Sequence, residues 1–421
     1  MQRRAFVKSG ALALVTMGLS PAFLRRTAFG LPLPGVARGK VLICLFQRGA
    51  ADALSMVVPH GDAAYYAARP TLAIARPTRG GEDAAVDLDG MFGLHPALSS
   101  LAPLYRDGIL APIVAVGSPS ATRSHFDAQD YMESGTPDLK GTRDGWLNRY
   151  LAVAGTCEAC TPARSPFRAV AMAAQTPRIL QGPSAAIAMT SLGDFTVRAG
   201  GSSAERLEAL YRTGSADVVH ASGQEMFDAV KMLRAARPEQ YLPRSGVEYP
   251  RSPFGQRLRE IAQLIKANVG LEVAFADVGG WDTHVNQGSA TGQLAVRLRD
   301  FGSAIAALVA DLGDRMSDVV ILTMSEFGRT VRPNGSGGTD HGHAGAMFAI
   351  GGQVAGGRVH GVWPGLAREQ LYEGRDLALT TDFRAVFSEV LARHFAAPDP
   401  SAVFPGYAGD ASRWRGILRA T

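Results

Sequence analysis

The sequence lacks the features that define several protein classes. It has three cysteines in 421 residues, no internal repeat and no low-complexity tail. It contains no apolar run long enough to give the mature protein a transmembrane helix. Nothing in the composition indicates disorder or collagen. The chain is 46% hydrophobic. This is enough for a large core in one big α/β domain or two smaller ones.

The few cysteines restrict the redox and metal chemistry. Cys44 lies in an apolar run and is expected to be a buried small hydrophobe. Cys157 and Cys160 lie in a loop-like stretch and could pair in an oxidising compartment. Two cysteines without a second pair argue against a structural zinc knuckle.

The amino terminus has the pattern of an export signal. The segment Gln2–Lys8 reads QRRAFVK and resembles the bacterial twin-arginine motif. A mildly apolar stretch, Ala11–Leu24, follows and is interrupted by glycine, serine and proline. We interpret 1–30 as a twin-arginine signal peptide and 31–39 as a linker. This predicts export through the twin-arginine machinery, to the periplasm or otherwise out of the cytoplasm.

The basic residues of this segment account for the high pI of the chain, about 9.2. The chain has 43 basic and 38 acidic residues, and residues 1–30 contain five of the basic ones and no Asp or Glu. Without that segment the two counts are equal. The charge therefore gives no support for nucleic-acid binding.

Apolar runs bounded by turn residues predict buried strands. The predicted strands are Lys40–Phe46, Ile109–Val116, Leu271–Val278, Asp318–Met324 and Met347–Ile350. Predicted helices lie at His95–Arg106, His125–Met132, Gln256–Ala267, Gly292–Leu312 and Thr381–His394. A less regular insert, about 138–253, holds a predicted strand at Phe167–Ala173 and predicted helices at Ser203–Arg212 and Gly223–Ala236. This order predicts one α/β domain, 40–421, with a mainly parallel central sheet flanked by helices on both faces.

Acids and histidines follow the ends of two predicted strands. Asp282 and His284 stand in GGWDTH, and Asp340, His341 and His343 stand in GTDHGHAG. Residues at i and i+2 of an extended segment point the same way, so Asp282 and His284 can reach one ion. Carboxylate and imidazole are ligands for zinc or manganese, with calcium or magnesium as further possibilities. The number of ions is left open.

Two more acids, Asp52 and Glu326, come just after predicted strands. In parallel α/β sheets ligands bind outside the carboxyl ends of the strands. We therefore include both acids among the candidate metal ligands.

The segment Thr122-Arg123-Ser124-His125 offers hydroxyls at the start of a predicted helix. Backbone N–H groups there can stabilise an anion, and a metal can activate a hydroxyl as a nucleophile. Ser124 or Thr122 is the candidate nucleophile. Arg123 is the candidate holder of a phosphate or sulfate, and His125 is a candidate ligand or acid.

Several longer motifs are distributed along the chain: RGAADALSMVVP (48–59), GLHPAL (93–98), RSHFDAQDYMESG (123–135), GGWDTH (279–284), SEFGRT (325–330), GTDHGHAG (339–346) and TTDFR (380–384). With these motifs the chain resembles, over nearly its whole mature length, the domain-of-unknown-function 1501 family of exported bacterial proteins. The resemblance implies the alkaline-phosphatase-like fold of phosphatases, sulfatases, phosphodiesterases and phosphomutases. In that superfamily an Asp-His dipeptide follows its strand directly. Here Ser325–Gly328 takes that place, and Asp340-His341 comes later.

Three functions follow as expectations. The first is an exported metal-dependent hydrolase of a phosphate or sulfate ester, with a small anionic ester or a polysaccharide as substrate. The second is a non-catalytic periplasmic binding or assembly protein that retains the fold. The third is a sulfatase that uses a modified Cys160, because Cys160-Thr-Pro-Ala-Arg164 fits the short C-x-P-x-R signature.

Overall fold

An eight-stranded sheet forms the centre of the molecule. The computed structural model describes residues 39–78, 81–154, 165–193, 229–397 and 400–419. The sheet strands are β1 Val41–Gln47, β5 Leu110–Gly117, β6 Ala169–Met172, β7 Ile187–Met189, β8 Val273–Val278, β9 Val319–Met324, β10 Gly345–Gly351 and β11 Thr381–Asp382. Their spatial order is β11-β5-β10-β9-β1-β8-β6-β7. Seven of them run in one direction, and only β10 runs against its neighbours β5 and β9.

Helices cover both faces of this sheet. The α-helices are α1 Ala53–Met56, α2 Ala63–Ala68, α3 Ala102–Arg106, α4 His125–Ser134, α5 Trp146–Val153, α6 Pro253–Lys266, α7 Gln293–Leu312 and α8 Phe383–Phe395, with a further helical stretch at 229–236. Helices α6 and α7 pack on one face, and α5 and α8 pack on the other. The predicted α/β class is confirmed, and the architecture is consistent with the alkaline-phosphatase-like fold that the resemblance implies.

Strand β1 shows why the sheet is buried on both sides. Alternate side chains of a strand point to opposite faces. Ile43 and Leu45 enter the core under α6 and α7, whereas Leu42, Cys44 and Phe46 enter the other core. All are fully buried, which explains the continuous apolar run in the sequence. Cys44 is the buried hydrophobe that the sequence predicted.

The remaining elements are short. Strands β2 Val57–Val58, β3 Val86–Asp87 and β4 Gly93–Leu94 form a separate antiparallel sheet. The segment predicted as one helix from His95 begins as a 3₁₀ helix, Pro96–Leu101, before α3. The less regular insert supplies β6 and β7 to the central sheet. No helix in the described ranges is long and apolar enough to cross a membrane.

Strand β10 places its preceding loop at a particular edge of the sheet. Strand β9 ends at Met324, and β10 begins at Gly345 and runs back. The connecting loop 325–344 therefore stays at the edge where the parallel strands end. For this reason Glu326 and Asp340-His341 share that edge, although a long loop separates them in sequence. The predicted helix Ser203–Arg212, the predicted signal peptide and both Cys157 and Cys160 lie outside the described residues.

Candidate metal centre

Four side chains converge at the edge of the sheet where the parallel strands end. The carboxylate of Asp282 lies among three imidazoles: its oxygens are 2.9 Å from Nε2 of His284, 3.3 Å from Nε2 of His341 and 3.5 Å from Nε2 of His125. We call these residues the four-residue cluster. Within it, His125, Asp282 and His341 each offer one ligand atom that lies within 4.8 Å of the other two.

Three separate elements supply the cluster. His125 is the first residue of α4, Asp282 and His284 follow β8, and His341 lies in the loop before β10. The side chains of Asp282, His284 and His341 are between about a quarter and two fifths exposed. Solvent or a small ligand can therefore reach the cluster from the outside.

The ring of His125 is held by a buried carboxylate. Its Nδ1 lies 2.8 Å from Oε1 of Glu326, and the same oxygen accepts hydrogen bonds from the Gly49 N–H at 2.8 Å and from Nε2 of Gln129 at 2.9 Å. A carboxylate acceptor requires the proton on Nδ1, so Nε2 of His125 carries the lone pair when the imidazole is neutral. That Nε2 atom is buried and has no hydrogen-bond partner.

His341 and His284 follow the same pattern. Nδ1 of His341 lies 2.8 Å from the carbonyl oxygen of Arg123, and Nδ1 of His284 lies 3.0 Å from Oδ1 of Asp340. Both acceptors favour a proton on Nδ1, and Nε2 of each ring faces Oδ1 of Asp282. The two Nε2 atoms lie only 3.0 Å apart. Two facing lone pairs repel each other unless a proton or a metal ion lies between them.

These contacts fit a metal ion. Metal-binding histidines usually donate their other N–H to a carboxylate or carbonyl, which fixes the tautomer and aims the free nitrogen. All three histidines of the cluster have such an acceptor. A set of imidazole nitrogens with one carboxylate is typical of zinc and related ions.

The charges around the cluster keep Asp282 ionised. Burial raises the pKa of Asp282, but the Arg329 guanidinium outweighs burial and holds that pKa below its usual range. Nη1 of Arg329 lies 2.5 Å from Oδ1 of Asp282, and the arginine side chain is completely buried. The hydrogen bond to Glu326 raises the pKa of His125, and burial lowers the pKa of His341.

A glycine lets two strand-end loops meet. Gly49 has φ +118°, and a Cβ there would lie 2.7 Å from the backbone nitrogen of Asp282. Any side chain would push the Asp282 loop away from β1. Gly49 also donates its N–H to Glu326. The loop after β1 therefore contacts both the Asp282 loop and the carboxylate that holds His125.

Asp52 is held by protein donors that are not members of the cluster. Its carboxylate is fully buried and accepts hydrogen bonds from Arg69 at 2.6 and 2.9 Å, from Ser55 at 2.7 Å and from Gln287 at 2.7 Å. Both oxygens are thus occupied by protein donors. Burial raises the pKa of Asp52, but Arg69 overcompensates and the net change is a decrease.

Other predicted ligands take supporting positions. Glu326 and Asp340 orient His125 and His284, as described above. His343 is buried and stacks on Tyr372, with ring centroids 4.1 Å apart. Burial lowers the pKa of His343.

The predicted catalytic segment lies against the cluster through the Arg123 carbonyl. The Arg123 guanidinium turns away and pairs with Asp376 at 2.7 Å and Glu373 at 2.6 Å. Ser124 is the N-cap residue of α4, but its side chain makes no capping hydrogen bond. The Thr122 hydroxyl oxygen accepts the Ser124 N–H at 3.2 Å.

Sequence reasoning missed Arg329 and Gln129 as members of the site. Arg329 stands in the SEFGRT motif, three residues after Glu326, and Gln129 stands one helical turn after His125. An arginine three residues after an acid in a strand-end loop was the available signal for a buried charge partner.

Comparison with known proteins gives a family. A family model described as a protein of unknown function, DUF1501, matches residues 109–405. The chain belongs to this family. All four residues of the cluster lie inside the DUF1501 match, whereas Asp52 and Arg69 lie before it. No curated protein matches the chain.

Proposed function

We propose that this DUF1501 protein is an exported metal-dependent hydrolase of phosphate or sulfate esters. One observation carries the proposal: three histidines anchored through Nδ1 direct their Nε2 atoms toward one ionised aspartate. His125, Asp282, His284 and His341 would hold the ion. The ion would act as a Lewis acid on the ester and lower the pKa of a bound hydroxyl or water.

The protein residues have separate tasks in this scheme. Glu326, Asp340 and the Arg123 carbonyl fix the three imidazoles, and Arg329 keeps Asp282 anionic. The Ser124 hydroxyl is not used in capping α4, which supports Ser124 as nucleophile over Thr122. The free N–H groups at the start of α4 favour an anionic group beside His125.

The site takes a single ion in this proposal. Asp52 and Glu326 were predicted as metal ligands, but both already accept several protein donors. Replacing those donors by a metal would leave Arg69 without its counter-charge and His125 without its anchor. Arg69 thus already supplies the positive charge that balances Asp52.

Turnover of a panel of phosphate and sulfate esters by the metal-loaded protein tests the proposal. Hydrolysis should disappear on chelation and in His341→Ala. It should fall far more in Ser124→Ala than in Thr122→Ala. Intact metal binding with no hydrolysis across the panel would reject the hydrolase function.

That outcome would favour a non-catalytic metal-binding protein. One observation supports this second candidate: Arg123, the predicted holder of the anion, is already neutralised by Asp376 and Glu373. Under this candidate the metal is retained in Ser124→Ala and Thr122→Ala, and there is no activity to lose. A sulfatase function of Cys160 rests on a residue outside the described part of the chain.

A further inference from the structure

An exposed aromatic ring lies beside the cluster. Phe126 follows His125 directly in the first turn of α4, and its side chain is 91% exposed. It is the most exposed large apolar side chain in the described residues. Burying a phenylalanine is worth about 1.5–3 kcal/mol, so a ring left in water next to a binding site is a candidate ligand contact.

Two further exposed aliphatic side chains are close to the cluster in the chain. Val285 is 53% exposed and follows His284 directly. Leu139 is 54% exposed and precedes Lys140, which pairs with Asp127 of α4 at 3.0 Å. Phe126 is the most exposed of the three.

Two cations near the cluster, those of Arg123 and Lys140, are already paired. The Arg123 guanidinium contacts Asp376 and Glu373, and the Lys140 ammonium contacts Asp127. Neither is free for a second anionic group on a substrate. The surface beside the cluster therefore suits a molecule with one anionic group at the metal and an apolar remainder.

We infer that the substrate is a monoester of an apolar alcohol, aryl or alkyl, and that Phe126 determines this specificity. The inference rests on the proposed function, because it assumes that the anionic group of the ester is held at the four-residue cluster. The apolar leaving group packs on Phe126. A polysaccharide ester, which presents hydroxyls over its whole surface, is the disfavoured class.

Calorimetric titration of the metal-loaded protein with phenylphosphonate and methylphosphonate tests this inference. The two probes share the anionic group and differ in the ring. We expect phenylphosphonate to bind about tenfold more tightly, a difference of about 1.4 kcal/mol. Phe126→Ala should remove this preference without changing the affinity for methylphosphonate.

Leu242→Ala is the matched control. Leu242 is 68% exposed, and its carbonyl contacts Lys266 at the end of α6, at the opposite edge of the sheet. This variant should keep the preference for phenylphosphonate. A preference that Phe126→Ala leaves intact would overturn the inference, as would equal binding of both probes, no binding of either, or tighter binding of a sugar phosphate.

The probes separate this inference from the hydrolase proposal. A phosphonate has a P–C bond that is not hydrolysed, so binding is measured without turnover. Ring-dependent binding together with no activity on aryl esters would reject the hydrolase and leave the apolar specificity standing. Hydrolysis of aryl esters at a rate that Phe126→Ala leaves unchanged would reject the apolar specificity and leave the hydrolase function standing.

Discussion

At the scale of single residues, the site depends on which nitrogen of each histidine carries the proton. Nδ1 of His125, His284 and His341 faces an oxygen acceptor, so Nε2 is available to an ion. The acceptors lie far away in sequence: Glu326 is 201 residues from His125. The motifs predicted the ligand types, but a motif does not contain the distant acceptor that fixes a tautomer.

Glu326→Gln tests the orienting role of this carboxylate. Gln keeps the volume of Glu but provides a weaker, uncharged acceptor for His125. We expect metal affinity to fall by about 10–100-fold, the usual cost of losing such a partner. Competition with a chromogenic chelator measures it. Glu369→Gln, at an exposed position, is the control and should bind as tightly as wild type; a similar affinity for both variants would contradict the role of Glu326.

Asp52→Asn and Asp282→Asn separate the buried ion pair from the metal ligand. Asp52→Asn leaves Arg69 buried without its counter-charge, so the free energy of unfolding should fall by about 3–5 kcal/mol. Its bound metal should remain. Asp282→Asn should lose the metal. Denaturant titration and elemental analysis measure the two effects, and loss of metal from Asp52→Asn would argue for Asp52 as a ligand.

At the scale of elements, the direction of β10 determines at which edge of the sheet Glu326 and His341 lie. The apolar runs predicted six of the eight sheet strands; β7 was not predicted, and the residues of β11 were expected to begin the helix Thr381–His394. The apolar runs did not predict that β10 runs antiparallel between β5 and β9. The apolar pattern of a strand that is buried on both faces does not depend on the direction of the strand. The antiparallel pairing returns the loop 325–344 to the edge where β1 and β8 end.

Gly49→Ala tests the contact between the loops after β1 and β8. The new Cβ would lie 2.7 Å from the Asp282 backbone, so the Asp282 loop should shift and metal binding should weaken. Gly374→Ala is the control, because Gly374 also has a positive φ, +65°, but has open space around its Cβ position. It should destabilise the fold by about 1 kcal/mol and keep metal affinity. Equal metal affinity in both variants would refute the role of the close approach.

At the scale of the whole molecule, buried neutral histidines couple stability to pH. His394 on α8 is fully buried, with Nε2 3.1 Å from the carbonyl of Val41 on β1. Burial lowers the pKa of His394 from 6.5 to about 4. The unfolded chain therefore binds a proton that the folded chain excludes between these pH values.

This coupling predicts acid sensitivity. The stabilising effect of neutral His394 is complete above about pH 6.5 and is lost as the pH falls to about 4, which amounts to about 3 kcal/mol. His394→Gln should flatten this part of the pH profile. Unfolding free energies from pH 4 to 8 measure it, and identical slopes in both proteins would show that His394 is not responsible.

The metal content of the purified protein tests the central claim most directly. After removal of loosely bound ions, elemental analysis should find one divalent ion per chain in wild type and none in His341→Ala or Asp282→Asn. The same analysis should find one ion in Asp52→Asn. Wild-type protein without tightly bound metal, or metal retained in His341→Ala, would contradict the assignment of the four-residue cluster as a metal centre.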